Sequence, residues 1–139
     1  MTHEFTINVP LRIPLKRVAD LITSAFEGGS NYWYTINFDK STAPKKICFE
    51  AFDKDDFMSK EVFRHIHWPI SEGGRLCILD KEDDDEKEYF LDLPAIKKGM
   101  VVFAEKCPKH FGDFLEENDD ATTGDCALQC MLFGEVVFG

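Results

Sequence analysis

The spacing of apolar residues changes twice along the chain, and this constrains the fold more than any other feature of the sequence. Leu15, Val18, Leu21 and Ile22 recur at steps of three and four, which buries one face of an α-helix. Strand-like segments follow between residues 31 and 91, and helical spacing returns in the last third. Because helices and strands come in blocks, we predict an α+β fold, a mostly antiparallel sheet with an N-terminal helix and a C-terminal helical block packed on one face.

The length of 139 residues suits one compact domain with a single core, so we predict a single domain spanning residues 1–139. Turn residues and caps divide it into elements. The predicted strands lie at 4–10, with Phe5, Ile7 and Val9 on one side, at 31–38, at 45–52, from about Glu61, and as a hairpin within 73–93 with an acidic tip. The predicted helices lie at 13–29, 92–108, 109–118 and 122–135. Gly28 is the predicted left-handed end of the first, Asp92 caps the second, and Thr122 or Thr123 caps the last, which ends at Gly134. An edge strand is predicted at 135–139.

The charge balance limits the class of partner. There are 26 acidic against 16 basic residues, for a net charge of −10. A general DNA-binding or RNA-binding protein needs clustered positive charge, so we exclude that class. A local basic pocket stays open, and so does an acidic surface that mimics nucleic acid.

Cysteine usage and hydropathy indicate the compartment. The five cysteines form no CxxC pair, and an odd number leaves one unpaired in any full disulfide scheme. We therefore expect reduced, mostly buried thiols. The N-terminus lacks a signal-peptide pattern, and no apolar run is long enough to span a membrane. These features predict a cytoplasmic protein without a membrane partner.

No motif predicts catalysis or metal binding. The chain has no nucleophile elbow, phosphate loop, zinc-peptidase motif or dinucleotide fingerprint. His65 and His67 would share one side of a strand, but their spacing fits no closed zinc motif. The carboxylates at 116–125 lack EF-hand spacing and are explained as helix caps. Cys126 and Cys130 share a helix face without a basic partner, so we assign them to the core. We predict no catalytic residue, metal or cofactor.

The stretch EGGSNYWY offers the parts of a ligand pocket. Successive glycine and polar residues can turn backbone N–H groups towards one anion, and aromatic rings can stack on a base. The predicted ligand-binding residues are Gly28, Gly29, Ser30 and Asn31 for phosphate or ribose, Tyr32 and Trp33 for the base, and Arg64 and Arg75 for charge. The alternative is a helix end followed by a core strand. Because strand side chains alternate, either Trp33 or both Tyr32 and Tyr34 must face outward.

Three segments carry a resemblance to a known group: ADLITSAFEGGSNYWY, GGRLCILDKED and FLEENDDATTGDCALQCMLFGEVVFG. They resemble small, largely uncharacterised proteins encoded by tailed phages and prophages, which share the AFEGGSNYWY and LQCxLFGEVV[YF]G signatures. The resemblance spans most of the chain. It implies a phage accessory protein in the cytoplasm of an infected bacterium, and it carries over no catalytic residue.

The pocket and the phage context together predict a non-enzymatic anti-defence protein that binds and sequesters a nucleotide-type immune signal. One alternative is an acidic, anti-CRISPR-like inhibitor of a host defence protein that acts by protein binding or nucleic-acid mimicry. A second alternative is a small nucleotide-processing enzyme. The predicted partner is a nucleotide-like small molecule or a host defence protein, and a homo-oligomer stays open.

Overall fold

The computed structural model describes residues 3–46 and 65–139 of the chain. Within these ranges an N-terminal helix precedes a three-stranded antiparallel sheet, and C-terminal helices pack against that sheet. The predicted α+β class is therefore confirmed. The elements are α1 (Leu15–Ser24) with a π-helical turn (Ala25–Gly29), β1 (Tyr34–Thr42), a 3-10 helix (His65–Ile70), β2 (Arg75–Asp80), β3 (Glu88–Leu91), α2 (Leu93–Lys106), α3 (Pro108–Leu115) and α4 (Ala121–Phe133).

The sheet has the order β1-β2-β3. Tyr34 lies opposite Asp80 and Thr42 opposite Arg75, with an irregularity between Asn37 and Thr42. The predicted hairpin is confirmed, because β2 and β3 pair antiparallel around the acidic tip. This register places the beginning of β1 and the beginning of β2 at opposite ends of the sheet.

Helix α4 is the centre of the core. It packs against α1, the π-helical turn, α2, α3 and β3. Every residue from Thr123 to Met131 is buried, as expected for a helix surrounded by other elements. Three of these buried residues, Thr123, Asp125 and Gln129, are polar. The buried positions of Asp125 and Gln129 determine which groups the side chains of the EGGSNYWY segment bind.

The helix ends follow from their capping groups. The carboxylate of Asp92 accepts a hydrogen bond from the Ala95 N–H at 2.9 Å, as predicted. Asp120 is the N-cap of α4, so the expectation of a Thr122 or Thr123 cap is wrong. The Asp120 carboxylate accepts from the Thr123 N–H, and the Asp120 N–H donates to the Thr123 hydroxyl, which forms a capping box. The hydrogen bond from the Thr123 N–H to the Asp120 carboxylate also lowers the pKa of Asp120. Gly134 ends α4 with a φ of 76°, as predicted.

Three local predictions are wrong. Residues 4–10 form no strand, because no other described strand pairs with them. Gly28 lies inside the π-helical turn and has no positive φ, so the extra residue of that turn, and not a left-handed glycine, ends α1. His65–Ile70 is a 3-10 helix where we expected extended chain.

Two further predicted strands have different outcomes. Residues 135–139 form no strand, because the Val137 and Phe138 N–H groups bond to the side chain of Gln129 instead of to a neighbouring strand. The predicted strand at 45–52, apart from its first two residues, and the segment 61–64 lie outside the described residues. In the described parts of the chain, no helix combines the length and the apolar character needed to cross a lipid bilayer.

Candidate functional site

The EGGSNYWY segment converges on one carboxylate of α4. The Ser30 hydroxyl and the Trp33 indole N–H both donate to Asp125 Oδ1 at 2.7 Å. The Tyr32 hydroxyl donates to Asp125 Oδ2 at 2.7 Å, and Gln129 Nε2 donates to Oδ1 at 3.1 Å. We call these five residues the Asp125 cluster. Four neutral donors thus surround one carboxylate that is only 6% exposed.

Two glycines allow the backbones that carry the cluster to meet. A Cβ at Gly29 would lie 2.0 Å from the Ala121 carbonyl oxygen. A Cβ at Gly124 would lie 2.8 Å from the Ala25 nitrogen. Both distances are shorter than any real Cβ contact, so only glycine fits at either position. The close approach brings Ser30 within hydrogen-bond distance of Asp125.

The C-terminal segment covers the cluster. Gln129 Oε1 accepts from the Val137 and Phe138 N–H groups at 2.8 Å each, and Gln129 Nε2 donates to the Phe138 carbonyl at 3.1 Å. This pairing places the Phe138 ring on the Trp33 indole, with centroids 5.6 Å apart and an interplanar angle of 22°. Trp33 is fully buried. Its stacking face is therefore occupied by a ring of the same chain.

The predicted binding residues differ in how far they are exposed and in which groups they contact. Trp33 and Ser30 are buried, and Tyr32 is 47% exposed. Tyr34 is half-buried and packs edge-on against Phe26, so Tyr32 is the one of the three aromatic residues that faces outward. Gly28 and Asn31 are exposed, and the Asn31 carbonyl accepts from Lys81 Nζ at 2.8 Å. The hydroxyl and indole donors that we assigned to a ligand bind Asp125 instead.

Arg75 lies away from the Asp125 cluster. It begins β2, whereas Asp80, opposite Tyr34, ends it. Five residues of extended strand separate these two positions by about 17 Å. Arg64 lies outside the described residues. The structure therefore does not bring Arg75 together with the aromatic segment, and the predicted eight-residue pocket is not assembled from the residues described.

Arg75 instead lies in a cleft of about 690 Å³ between the start of β2 and the start of α2, which we call the Arg75 cleft. Lys97 supplies a second positive charge, and Glu72 and Asp92 supply negative ones. The Arg75 guanidinium carbon lies 4.3 Å from the centroid of the Phe90 ring, a cation–π contact that orients its plane.

The turn before Arg75 is held tightly. Gly73 has a φ of 85°, in the left-handed region that favours glycine. A Cβ at Gly74 would lie 2.0 Å from the Trp68 carbonyl oxygen. This double-glycine turn therefore brings the backbone close to the 3-10 helix and fixes where Arg75 emerges.

The candidate metal ligands are dispersed. Among residues 3–46 and 65–139, no group of three or more histidine, cysteine or acidic side chains is arranged to hold a metal ion. His67 Nε2 lies 2.8 Å from the Thr23 hydroxyl. Cys130 Sγ lies 3.9 Å from Cys107 Sγ, and both thiols are free. Burial raises the pKa of Cys126 to about 11 and that of Cys130 to about 12, so both belong to the core as unreactive thiols.

Sequence reasoning missed the three residues that organise the site, Asp125, Gln129 and Phe138. We had assigned Asp125 to helix capping. One signal was available, because Asp125 and Gln129 lie four residues apart, hence on the same face of a helix whose other residues are apolar. A buried carboxylate and amide on one face require partners elsewhere in the chain.

With the geometry established, comparison adds one fact. No protein-family model, curated protein or solved structure matches this chain. The chemistry of the Asp125 cluster and of the Arg75 cleft therefore carries the functional argument.

The Tyr32 hydroxyl predicts a stability change at high pH. Burial and the hydrogen bond to Asp125 raise the pKa of Tyr32 from 10.0 to about 12. Between these values the unfolded chain loses the phenolic proton and the folded chain keeps it. The free energy of unfolding should therefore fall as the pH rises from about 10 to about 12, and this contribution should be fully present below pH 10. Urea denaturation at a series of pH values measures it.

The Tyr32→Phe variant tests the assignment. It should be less stable than the parent chain at neutral pH, because it lacks a hydrogen bond, and its decline above pH 10 should be shallower. A residual decline is expected, since the pKa values of Tyr34, Cys126 and Cys130 are raised as well. Parallel curves for the two proteins above pH 10 would contradict the assignment.

Proposed function

We propose that the protein is a non-enzymatic binding protein that holds a phosphate-bearing, nucleotide-type small molecule in the Arg75 cleft. Its role would be to sequester an immune signal in the cytoplasm of a phage-infected bacterium. The observation that carries the proposal is the presence of Arg75 and Lys97 in one cleft beside a tight double-glycine turn. The proposal keeps the ligand class that the sequence predicts and moves its site to the far end of the sheet.

The cleft has suitable size and donors. Small-molecule sites usually occupy about 300–1,000 Å³, and this cleft falls within that range. An arginine guanidinium binds phosphate through two parallel hydrogen bonds, and a lysine adds a compact charge. Packing against Phe90 restricts the guanidinium before a ligand arrives, which lowers the entropy cost of binding. The positive end of the α2 dipole also lies at the cleft, since Leu93 and Pro94 line it.

The acidic groups at the cleft set its selectivity. Asp92 uses Oδ1 to cap α2, so part of its charge already interacts with the helix N-terminus. Glu72 is exposed and would repel ligands that approach from its side. We therefore expect a ligand that places its phosphate between Arg75 and Lys97 and turns its neutral part towards Glu72.

Calorimetric titration with cyclic dinucleotides and cyclic ADP-ribose isomers tests the proposal. Loss of one charge-assisted contact costs about 1.5–3 kcal/mol, so Arg75→Glu and Lys97→Glu should each weaken binding by roughly tenfold to a hundredfold. Lys98→Glu is the matched control, because Lys98 is the next residue on α2 and does not line the cleft. It should bind as the parent chain does. The absence of heat with all of these ligands would reject the proposal.

Recovery of the ligand separates binding from catalysis. A sequestering protein releases its ligand intact when it is denatured by heat. Conversion of the ligand during incubation would instead support the nucleotide-processing alternative. Trp33→Ala would not report on ligand binding, because Trp33 is fully buried and its loss would disturb the core.

The inhibitor alternative rests on the acidic hairpin tip. Residues 81–87 lie between β2 and β3, and most of them are exposed. Two other stretches of the sequence are rich in acidic residues, EENDD at 116–120 and DKDD at 53–56. In the first, Asp119 accepts from Arg17 at 2.8 Å and Asp120 caps α4, so both carboxylates already stabilise the fold. The second lies outside the described residues. Pull-down of a host effector that is weakened by high salt and by charge reversal at the tip would favour this alternative.

A further inference from the structure

An apolar N-terminal segment is exposed to solvent. Residues 5–11, which we call the arm, form neither helix nor strand. The exposed fractions of its apolar residues are 93% for Phe5, 73% for Ile7, 72% for Val9 and 55% for Leu11. Single exposed apolar residues are ordinary in folded proteins, but four at alternate positions of one short segment indicate a surface that another molecule covers.

An apolar groove lies beside the arm. Its volume is about 960 Å³, and it is lined by residues of α1, α2 and α3 together with residues 7–11 and Ile13 of the N-terminal segment. Val18, Ile96 and Met100 are among its lining residues, and all three are nearly buried. Val101 also lines it and is 58% exposed, and Lys97 and Glu105 are the charged residues of the lining. The groove therefore combines an apolar surface with one basic and one acidic group.

The chain does not fill this groove with its own arm. Ile7, Val9 and Leu11 contribute to the lining, yet more than half of the surface of each stays exposed. The arm thus lies along its own groove without entering it. Because each chain carries both an apolar arm and an apolar groove, the arm of each of two copies can contact the groove of the other. Such reciprocal contact is the condition for a closed two-fold interface.

Charge also favours a second copy. Lys16 and Arg17 in the N-terminal region pair with Asp20 and Asp119 of the same chain, so the charge argument rests on Arg12. The whole chain carries −10, and a cation beside the arm is complementary to an acidic surface of another copy. Arg12 directly follows the arm and is exposed, and Glu105 lines the groove and is exposed.

We propose that two copies of this chain form a dimer by exchanging arms, so that residues 5–11 of each lie in the groove of the other. Each fully buried apolar side chain removes roughly 60–120 Å² from water. Four such side chains per arm, with an equal area of groove and two arms per dimer, bury roughly 1,000–1,900 Å², which overlaps the range of about 1,200–2,000 Å² of stable interfaces. This proposal does not depend on the ligand of the Arg75 cleft.

Sedimentation equilibrium of the full chain over a range of concentrations tests the dimer. We expect a mass of twice 15.9 kDa. The double variant Phe5→Glu/Ile7→Glu should weaken the dimer by roughly a hundredfold or more, because it places charges in an apolar groove. Its denaturation midpoint, measured at a concentration where both proteins are monomeric, should equal that of the parent chain, since both side chains are exposed there. Val137 is likewise an exposed apolar residue, at 55%, but it does not line the groove. The control variant Val137→Glu should therefore leave the dimer unchanged.

A charge swap between Arg12 and Glu105 distinguishes the proposed dimer from nonspecific association through exposed apolar surface. Arg12→Glu and Glu105→Arg should each weaken the dimer, and the double variant should recover most of the loss. A parent chain that stays monomeric at high concentration overturns the proposal and leaves the groove to another partner. A dimer that persists unchanged in Phe5→Glu/Ile7→Glu also overturns it, as does a series of ever larger oligomers in place of a closed dimer.

Discussion

Replacing Asp125 with alanine should lower the free energy of unfolding by about 4 kcal/mol, the largest loss that we expect from any single side chain. The carboxylate accepts from Ser30, Tyr32, Trp33 and Gln129. Without it, the donors of the fully buried Ser30, Trp33 and Gln129 lose a partner in a part of the core that water does not reach. A loss of this size is a large share of the roughly 5–15 kcal/mol that stabilises a typical domain.

Urea denaturation followed by tryptophan fluorescence measures this loss, because Trp33 reports directly on the cluster. Asp125→Asn should cost roughly half as much, since its amide keeps one acceptor oxygen and its NH₂ group can donate to the Tyr32 hydroxyl. Asp84→Ala, at the exposed hairpin tip, should stay within about 0.5 kcal/mol of the parent chain. Equal stabilities for Asp125→Ala and Asp84→Ala would show that the cluster does not hold the fold together.

Gly29→Ala should be the second most damaging substitution, and Gly28→Ala should be harmless. A Cβ at Gly29 would lie 2.0 Å from the Ala121 carbonyl oxygen, whereas a Cβ at Gly28 would lie 3.7 Å from Ala121 Cβ, an ordinary contact. The clash involves backbone, so it cannot be relieved by a side-chain rotation. We expect a loss of about 3 kcal/mol or more for Gly29→Ala.

The two alanine variants also distinguish between two structural roles of the Gly28–Gly29 pair. If it were mainly a flexible turn, the two alanine variants would lose similar amounts of stability. Close packing against α4 predicts that only Gly29→Ala loses stability, while Gly28→Ala gains a few tenths of a kcal/mol from reduced freedom of the unfolded chain. Thermal melts of the two variants under identical conditions decide between these readings.

The sequence was sufficient for the features that depend on near neighbours. Helical spacing located α1, α2 and α4, and the acidic turn located the hairpin of β2 and β3. Asp92 and Gly134 mark helix ends because capping involves residues only three or four positions away. The strand predicted at 4–10 is wrong for a complementary reason: alternation shows that a segment can pair, but not that a partner strand lies within reach.

The site was less accessible because its contacts are distant in sequence. Ser30, Tyr32 and Trp33 bind a carboxylate 92 to 95 residues away, and no periodic pattern shows such a pairing. The aromatic segment and Arg75 appeared compatible with one pocket because strand register is needed to see that they lie at opposite ends of the sheet. The sequence analysis assigned Asp125 to helix capping, although Asp125 and Gln129 lie four residues apart in a mostly apolar helix and such side chains need partners once they are buried.

The closure of Gln129 on residues 137 and 138 also has a consequence for biosynthesis. The ribosome delivers Trp33 long before it delivers Asp125, and Phe138, which covers the indole, comes later still. The Phe138 ring therefore cannot cover the indole until residue 138 has been added to the chain. Because these contacts link residues so far apart, closing them requires a long loop to be ordered at once. The contacts of Val137 and Phe138 with Gln129 and Trp33 therefore form only after both ends of this long loop have been made.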